Sequence, residues 1–283
     1  MPTVFSFTPL QRAATAFLGL AVLMAALGLF LDGIDRGSRA LRASAPAVDH
    51  NPLTSVYLAD VRFSGEVPAS FAVSISHDLG SLPLEEKKAA FLKIVLPLVA
   101  RENAKIRQER ALVMKGGDAV PDALWDRYEV KKGDLETLKR RVDVIPASMV
   151  LAQAALESGW GTSRFAREGN NLFGTRTYNP DTPGITPDRA NGFKVVKYGT
   201  LSDSVAHYML NLNTNEAYRE FRKARDHMRA QGKDPDSRHL ATRLTSYSEI
   251  PHTYGKILHD IIDSEKLEDF DGIRLAGDAR GDS

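Results

Sequence analysis

The sequence predicts an α+β fold, predominantly α, in which a helical body and a small β-lobe flank a groove. Three observations predict it. The stretch 145–156, IPASMVLAQAAL, is apolar on nearly all sides, the pattern of a helix buried in a core. Apolar residues recur at helical spacing before and after it, whereas 192–198, GFKVVKY, alternates as a strand does. At 283 residues, 43% apolar and 26% charged, the chain carries enough material for one well-packed domain with appendages, and no internal repeat divides it.

Residues 1–12 form a short N-terminus, expected to be cytoplasmic. Ala13 to Leu31 is uncharged and, at about 1.5 Å per residue, long enough to cross a bilayer. It exceeds the roughly 7–15 apolar residues of a secretory signal. The A-x-A at 43–45 lies well past it, so an uncleaved transmembrane anchor is expected over a cleaved signal. Only Arg12 precedes this span, whereas Arg36, Arg39 and Arg42 follow it. Counting Lys and Arg alone therefore places the body in the cytoplasm.

Residues 32–83 read as a linker and extended segment. The stretch to about 60 is rich in Ala, Ser, Arg and Pro, and 61–82 holds short alternating runs compatible with a hairpin or with an extended segment lying on the body. A helical subdomain is expected over 84–134, where Phe91, Ile94, Val95, Leu98 and Val99 share a helix face that Pro97 should kink. Turns at 115–118 and 132–134 flank a short helix near 121–130. Residues 135–267 form the main domain. The segment 135–142 and the strip Val144, Ile145, Pro146 lead into the buried helix, with Pro146 expected in its first turn. A loop over 175–191 and the strand at 192–198 follow, then helices at 201–211, 216–230, 237–246 and 254–264. Residues 268–283, charged and Gly-containing, are expected to fray.

Composition excludes several classes. A net charge of +1 gives no electrostatic case for nucleic acid. Zero Cys rules out disulfides, thiolate metal sites and a thiol nucleophile. The His residues form no H-E-x-x-H pair, and neither a G-x-S-x-G elbow nor a Gly-rich phosphate loop appears. No metal and no cofactor is expected.

The chemistry centres on AALESGWGTSRF, 154–165, and the NNLFG at 170–174. Glu157 is the sole acid at the end of a core helix that Ser158-Gly159-Trp160-Gly161 stops, since Gly tolerates a left-handed C-cap. A carboxyl at that border is partly desolvated and faces the negative end of the helix dipole. Both effects raise its pKa towards neutrality and suit it to give a proton to a leaving oxygen. A helix-end carboxyl paired with Arg164 or Arg167 is the structural alternative.

These two motifs resemble the signature of the bacterial glucosaminidase family, glycoside hydrolase family 73. Within it, VDVIPASMVLAQAALESGWGTSRFAREGNNLFG and YMLNLNTNEAYREFRKAR most resemble the Bax-type branch. The likeness runs from about 84 to 267. Lytic transglycosylases share the ES-type helix end but usually continue into GLMQ, where this chain has NNLFG. The resemblance implies a lysozyme-like two-lobed domain and an endo-β-N-acetylglucosaminidase cutting peptidoglycan glycan strands at β-1,4 bonds of N-acetylglucosamine. The family name extends to mannosyl-glycoproteins and carries an amidase label. The alternatives are a lytic transglycosylase-type muramidase and a non-catalytic glycan-binding protein. Because that substrate lies outside the inner membrane, the resemblance overrides the charge count and implies an inner-membrane protein with a periplasmic catalytic domain.

Glycoside hydrolysis ordinarily uses two carboxyl groups. Glu157 is expected to be the general acid. The family assigns its partner in some members to the β-lobe, which offers Asp181, Asp188 and Asp203. Asp188, just before the strand, is the favoured candidate, although turns and helix starts favour Asp on structural grounds too. Without a second acid, the acetamido group of the substrate can act as nucleophile. Tyr254 falls where the resemblance places an active-site Tyr, a core Tyr being the alternative. Asn171 is expected to hydrogen-bond sugar or to brace the turn at Glu157. Trp160, Phe173 and Tyr198 are the candidate aromatic contacts, with packing the competing role for Trp160.

Overall fold

The computed structural model describes residues 52–188, 192–244 and 251–277. The expected anchor at 13–31 lies outside them. Among the described residues no helix is long and apolar enough to cross a membrane.

In chain order, α1 spans Pro52–Ser64, β1 Glu66–Val67, α2 Leu84–Lys115, α3 Asp122–Arg127, α4 Leu135–Arg141, α5 Ala147–Ser158 and α6 Arg164–Gly169. A three-stranded antiparallel sheet follows, formed by β2 (Arg176–Thr177), β3 (Gly184–Ile185) and β4 (Lys194–Val196) in the order β2-β4-β3. Then come α7 (Leu201–Thr214), α8 (Arg219–Ala230), α9 (Ser237–Ala241), α10 (Pro251–Ser264) and β5 (Arg274–Leu275). The architecture is therefore mostly helical α+β with small sheets.

Helix α5 is the axis of the core. Residues Ala147 to Ala155 are all buried, and α2, α9, α10 and a 3-10 turn at Leu267–Phe270 pack around them. Its approach is fixed by polar side chains. Buried Asn103 of α2 donates to Ile145 O at 2.8 Å and accepts from Ile145 N at 3.1 Å. Asp143, 2% exposed, receives both Nε and Nη2 of Arg229 at 3.1 Å, while Arg225 donates to the carbonyls of Arg140, Asp143 and Val144. Burial pushes the Asp143 carboxyl up, but Arg225, Arg229 and Arg110 outweigh it and hold its pKa below the usual range.

Several expectations are corrected. Pro146 is the N-cap of α5, one position before the first turn. Residues 52–64 are helical, so the end of the expected linker and the start of the expected hairpin give way to α1, with Leu58 and Val61 in the core, and to β1, while residues 32–51 lie outside the described residues. Pro97 lies inside α2, within the single helix in which it was expected. Its lost hydrogen bond is offset by the burial of Phe91, Leu92 and Val95 to Ala100 around it. The segment 84–134 serves two cores. Phe91, Leu96 and Ile106 join the main one, whereas Val113 joins Trp125, Tyr128, Leu138 and Val142 in a second. The loop expected over 175–191 contains β2 and β3.

The largest correction concerns the described part of the expected frayed tail, residues 268–277. Leu267 and Phe270 are fully buried, Ile273 nearly so, and β5 pairs in parallel with β1. Asp271 caps the axial helix, accepting from Ser148 N at 2.8 Å and from Ser148 Oγ at 2.7 Å. Three apolar residues spaced by three along a charged stretch make one inward face, which average composition hides.

Candidate active site

Glu157 occupies the last turn of α5, where three consecutive residues with positive φ turn the chain away: Gly159 (58°), Trp160 (57°) and Gly161 (78°). The turn is pinned by Ser158, whose Oγ donates to Ala154 O at 2.5 Å and accepts from Gly161 N at 2.8 Å. A Cβ on Gly161 would lie 2.7 Å from Ile75 Cδ1, so only glycine fits both the angle and the space. Trp160 is 6% exposed, packs edge-on against Phe91 at 5.6 Å and lies beside the Lys88 ammonium. It anchors the turn in the core, and its expected place as a sugar platform is corrected.

The NNLFG turn closes over the other side. Asn171 is 2% exposed and its amide is spent on main chain. Nδ2 donates to Thr175 O at 3.0 Å and Val196 O at 2.9 Å, and Oδ1 accepts from the N–H groups of Phe173 and Thr175. These bonds hold the NNLFG turn against β4. The turn brings Gly174, with φ of 65°, so near that a Cβ there would meet Glu157 Oε2 at 3.6 Å. Asn170 ties the same turn to the carbonyls of Tyr198 and Gly199.

Glu157 is half-buried and ends a chain of hydrogen bonds. Tyr254 donates its hydroxyl to Glu157 Oε1 at 3.0 Å. Gln153, one turn earlier on α5, donates Nε2 to the Tyr254 oxygen at 2.9 Å. Tyr208 in turn donates to Gln153 Oε1. Tyr208 reaches inward because Leu201, Ser204, Val205, Tyr208, Met209 and Leu212 form the buried face of α7, and Phe173 stacks on its ring at 3.9 Å. Burial pushes the Glu157 carboxyl up to about 7, against the opposing pull of the Tyr254 hydroxyl and of the Arg176 charge. Burial also raises Tyr218 to about 12, with the Glu157 charge adding to it.

The ion pair that would have made Glu157 structural is not formed among the described residues. Arg164 binds Thr186 O at 2.8 Å and Asp188 at 3.5 Å instead. That contact also accounts for Asp188, whose side chain is 90% exposed and is not among the groups that shift Glu157. Asp203 is taken by a capping box with Thr200 at the start of α7, and Asp181 is exposed in the turn after Asn179. The favoured second acid thus joins a surface pair, outside the Glu157 network. Tyr198 pairs with His207 and donates its N–H to Gly169 O, bracing the β-lobe where a sugar contact was expected. Phe173, 3% exposed, supports Tyr208 from beneath.

Sequence reasoning missed Gln153, Tyr208 and Arg176. A signal existed for the first, since Gln153 is the one amide on an otherwise apolar helix and stands four residues before Glu157, on the same face. Among the described residues no group of three or more His, Asp or Glu could hold a metal ion.

Comparison with known proteins gives three results. Residues 133–267 match the glucosaminidase family, described as mannosyl-glycoprotein endo-beta-N-acetylglucosaminidase. Protein bax of Escherichia coli (strain K12) is 35% identical over 187 residues, covering 61% of this chain and 67% of that protein. The catalytic domain of the autolysin Auto from Listeria monocytogenes, a crystal structure, aligns at 21% identity with a TM-score of 0.32, over 60% of this chain and 87% of that one.

Proposed function

The chain belongs to the glucosaminidase family, and from that premise we propose that it is a peptidoglycan hydrolase, an endo-β-N-acetylglucosaminidase that uses Glu157 as its general acid. The observation that carries this reading is a half-buried carboxyl without an ion pair among the described residues, held by Tyr254 and raised to about 7. An acid of that pKa is protonated often enough to give a proton near neutral pH and ionised often enough to take one back.

With Asp188 and Asp203 engaged elsewhere, substrate assistance is the favoured course. Glu157 protonates the glycosidic oxygen and the C1–O bond breaks. The acetamido oxygen of the same sugar bonds to C1 as an oxazolinium ion. Ionised Glu157 then takes a proton from water, whose oxygen attacks C1 and reopens the ring, so the anomeric configuration is retained. Tyr254 orients the carboxyl throughout.

The proposal extends to a lysozyme-like division into the α body and the β2-β4-β3 lobe, and to a periplasmic domain tethered to the inner membrane by residues 13–31. A reporter fused after Leu267 should be active outside the cytoplasm. Mass spectrometry of digested sacculi tests the bond. Reducing N-acetylglucosamine ends support the glucosaminidase, whereas anhydromuramic ends would make the protein a lytic transglycosylase.

A further inference from the structure

Strands β2 and β4 run antiparallel with Arg176 opposite Val195 and Thr177 opposite Lys194. Continued by one residue, that register sets Tyr178 opposite Phe193. Side chains alternate between the faces of a sheet, so Arg176, Tyr178, Phe193 and Val195 share one face. The contacts agree with the register. The Arg176 guanidinium lies 4.7 Å from the centroid of the Phe193 ring, and the Tyr178 ring stands 6.2 Å beyond, tilted by 59°. Val195 is buried beneath, while Tyr178 is 66% exposed.

The charge on this face reaches the proposed acid. Arg176 is the cation whose charge acts on Glu157. It is exposed, and among the described residues its guanidinium makes neither a hydrogen bond nor an ion pair. A guanidinium over a ring uses its flat face and leaves its N–H edges for a planar anion. The two rings beside it offer apolar surface to the C–H faces of pyranoses. Rings alone bind neutral and acidic glycans alike, so in this row only Arg176 can tell them apart by charge.

We propose that Arg176, Phe193 and Tyr178 form a subsite for sugars bearing a carboxylate, and that Arg176 selects acidic strands over neutral β-1,4-linked glycans. The inference rests on the glycosidase reading and names the residues that tell an acidic strand from a neutral one. In peptidoglycan the carboxylate has two sources, the lactyl group of peptide-free muramic acid and the stem peptide.

The test measures kcat/KM of the full chain on peptide-stripped strands, on the same strands after carboxyl reduction, on peptide-bearing strands and on chitooligosaccharides. Wild type should prefer stripped strands to their carboxyl-reduced form about tenfold, the worth of one charge-assisted hydrogen bond at an exposed site. A larger preference for peptide-bearing strands assigns the carboxylate to the peptide. Arg176→Gln should abolish the preference and Arg176→Lys keep part of it. Tyr178→Ala should weaken all substrates in proportion. Any effect of Arg176 on the Glu157 proton is common to every substrate and cancels in the ratio. A ratio near one in wild type, or one that survives in Arg176→Gln, overturns the subsite. If wild type cleaves none of the substrates, the glycosidase reading fails instead. Co-sedimentation of Glu157→Gln with intact against carboxyl-reduced sacculi then decides the subsite alone.

Discussion

Tyr254 donates its hydroxyl to Glu157 Oε1 at 3.0 Å, across 97 positions of sequence. The direction of that bond follows from the side chains behind it. Gln153 offers its amide N–H to the Tyr254 oxygen because its own oxygen is taken by Tyr208, so the Tyr254 proton points at the carboxylate. With Oε1 kept as an acceptor, the proton of the neutral acid sits on Oε2, the oxygen beside Gly174.

Removing the Tyr254 hydroxyl therefore removes a bond that favours the ionised acid. Tyr254→Phe should raise the Glu157 pKa and move the basic limb of the kcat/KM profile upward by about one pH unit, the scale of a hydrogen bond to a charged group. Gln153→Met, which leaves the Tyr254 hydroxyl less polarised, should move the limb the same way by less. A profile of unchanged shape in both variants would show that the chain only supports packing.

The same carboxyl sets a stability trend. Its folded pKa, about 7, lies above the ordinary value of 4.5, so the native state holds the proton more tightly. Protonation favours the fold fully below about pH 4.5, and that contribution is lost as pH rises through 7. Gln at 157 cannot ionise and can still accept from Tyr254. Glu157→Gln should match wild type near pH 4 and exceed it by about 1–3 kcal/mol near pH 8, read from denaturant titrations at both pH values. Asp271, raised by burial to about 6, contributes in both proteins and cancels in the comparison.

The C-terminal turn should behave as core. Phe270→Ala should cost about 3–5 kcal/mol and Asp271→Ala about 1–2 kcal/mol, the first through a cavity and the second through a lost helix cap. Thermal unfolding of the two variants checks this, and a melting temperature unchanged in both would return the segment to the status of a tail.

Gly161→Ala should lower stability as well as activity. The substitution sets a methyl 2.7 Å from Ile75 and imposes a φ of 78° on an L-residue, and both strains bear on the turn that ends α5. Equal stability by calorimetry would contradict that account of the turn.

The main helices and the acid were legible in the sequence because each is a local pattern. Residues 145–157 show an unbroken apolar run, one acid and a glycine stop, and that is how α5 is built. What stayed hidden depends on distant segments meeting. Leu267, Phe270 and Ile273 are core only because α1 and α5 come to them, and the charges between them dominate the composition. Asp188 looked like a catalytic partner by its place before a strand, but Arg164, on the helix facing that loop, claims it. Asn171 and Trp160 carry side chains suited to sugar, and burial spends both on the turn around Glu157.

The measurement that bears most directly on Glu157 as the proton donor compares wild type with Glu157→Gln on isolated sacculi, scoring clearing and co-sedimentation together. The expected result is loss of clearing by about three orders of magnitude or more, with binding to sacculi intact. Clearing that persists in the variant, or a wild type that binds sacculi without ever clearing them, would contradict it.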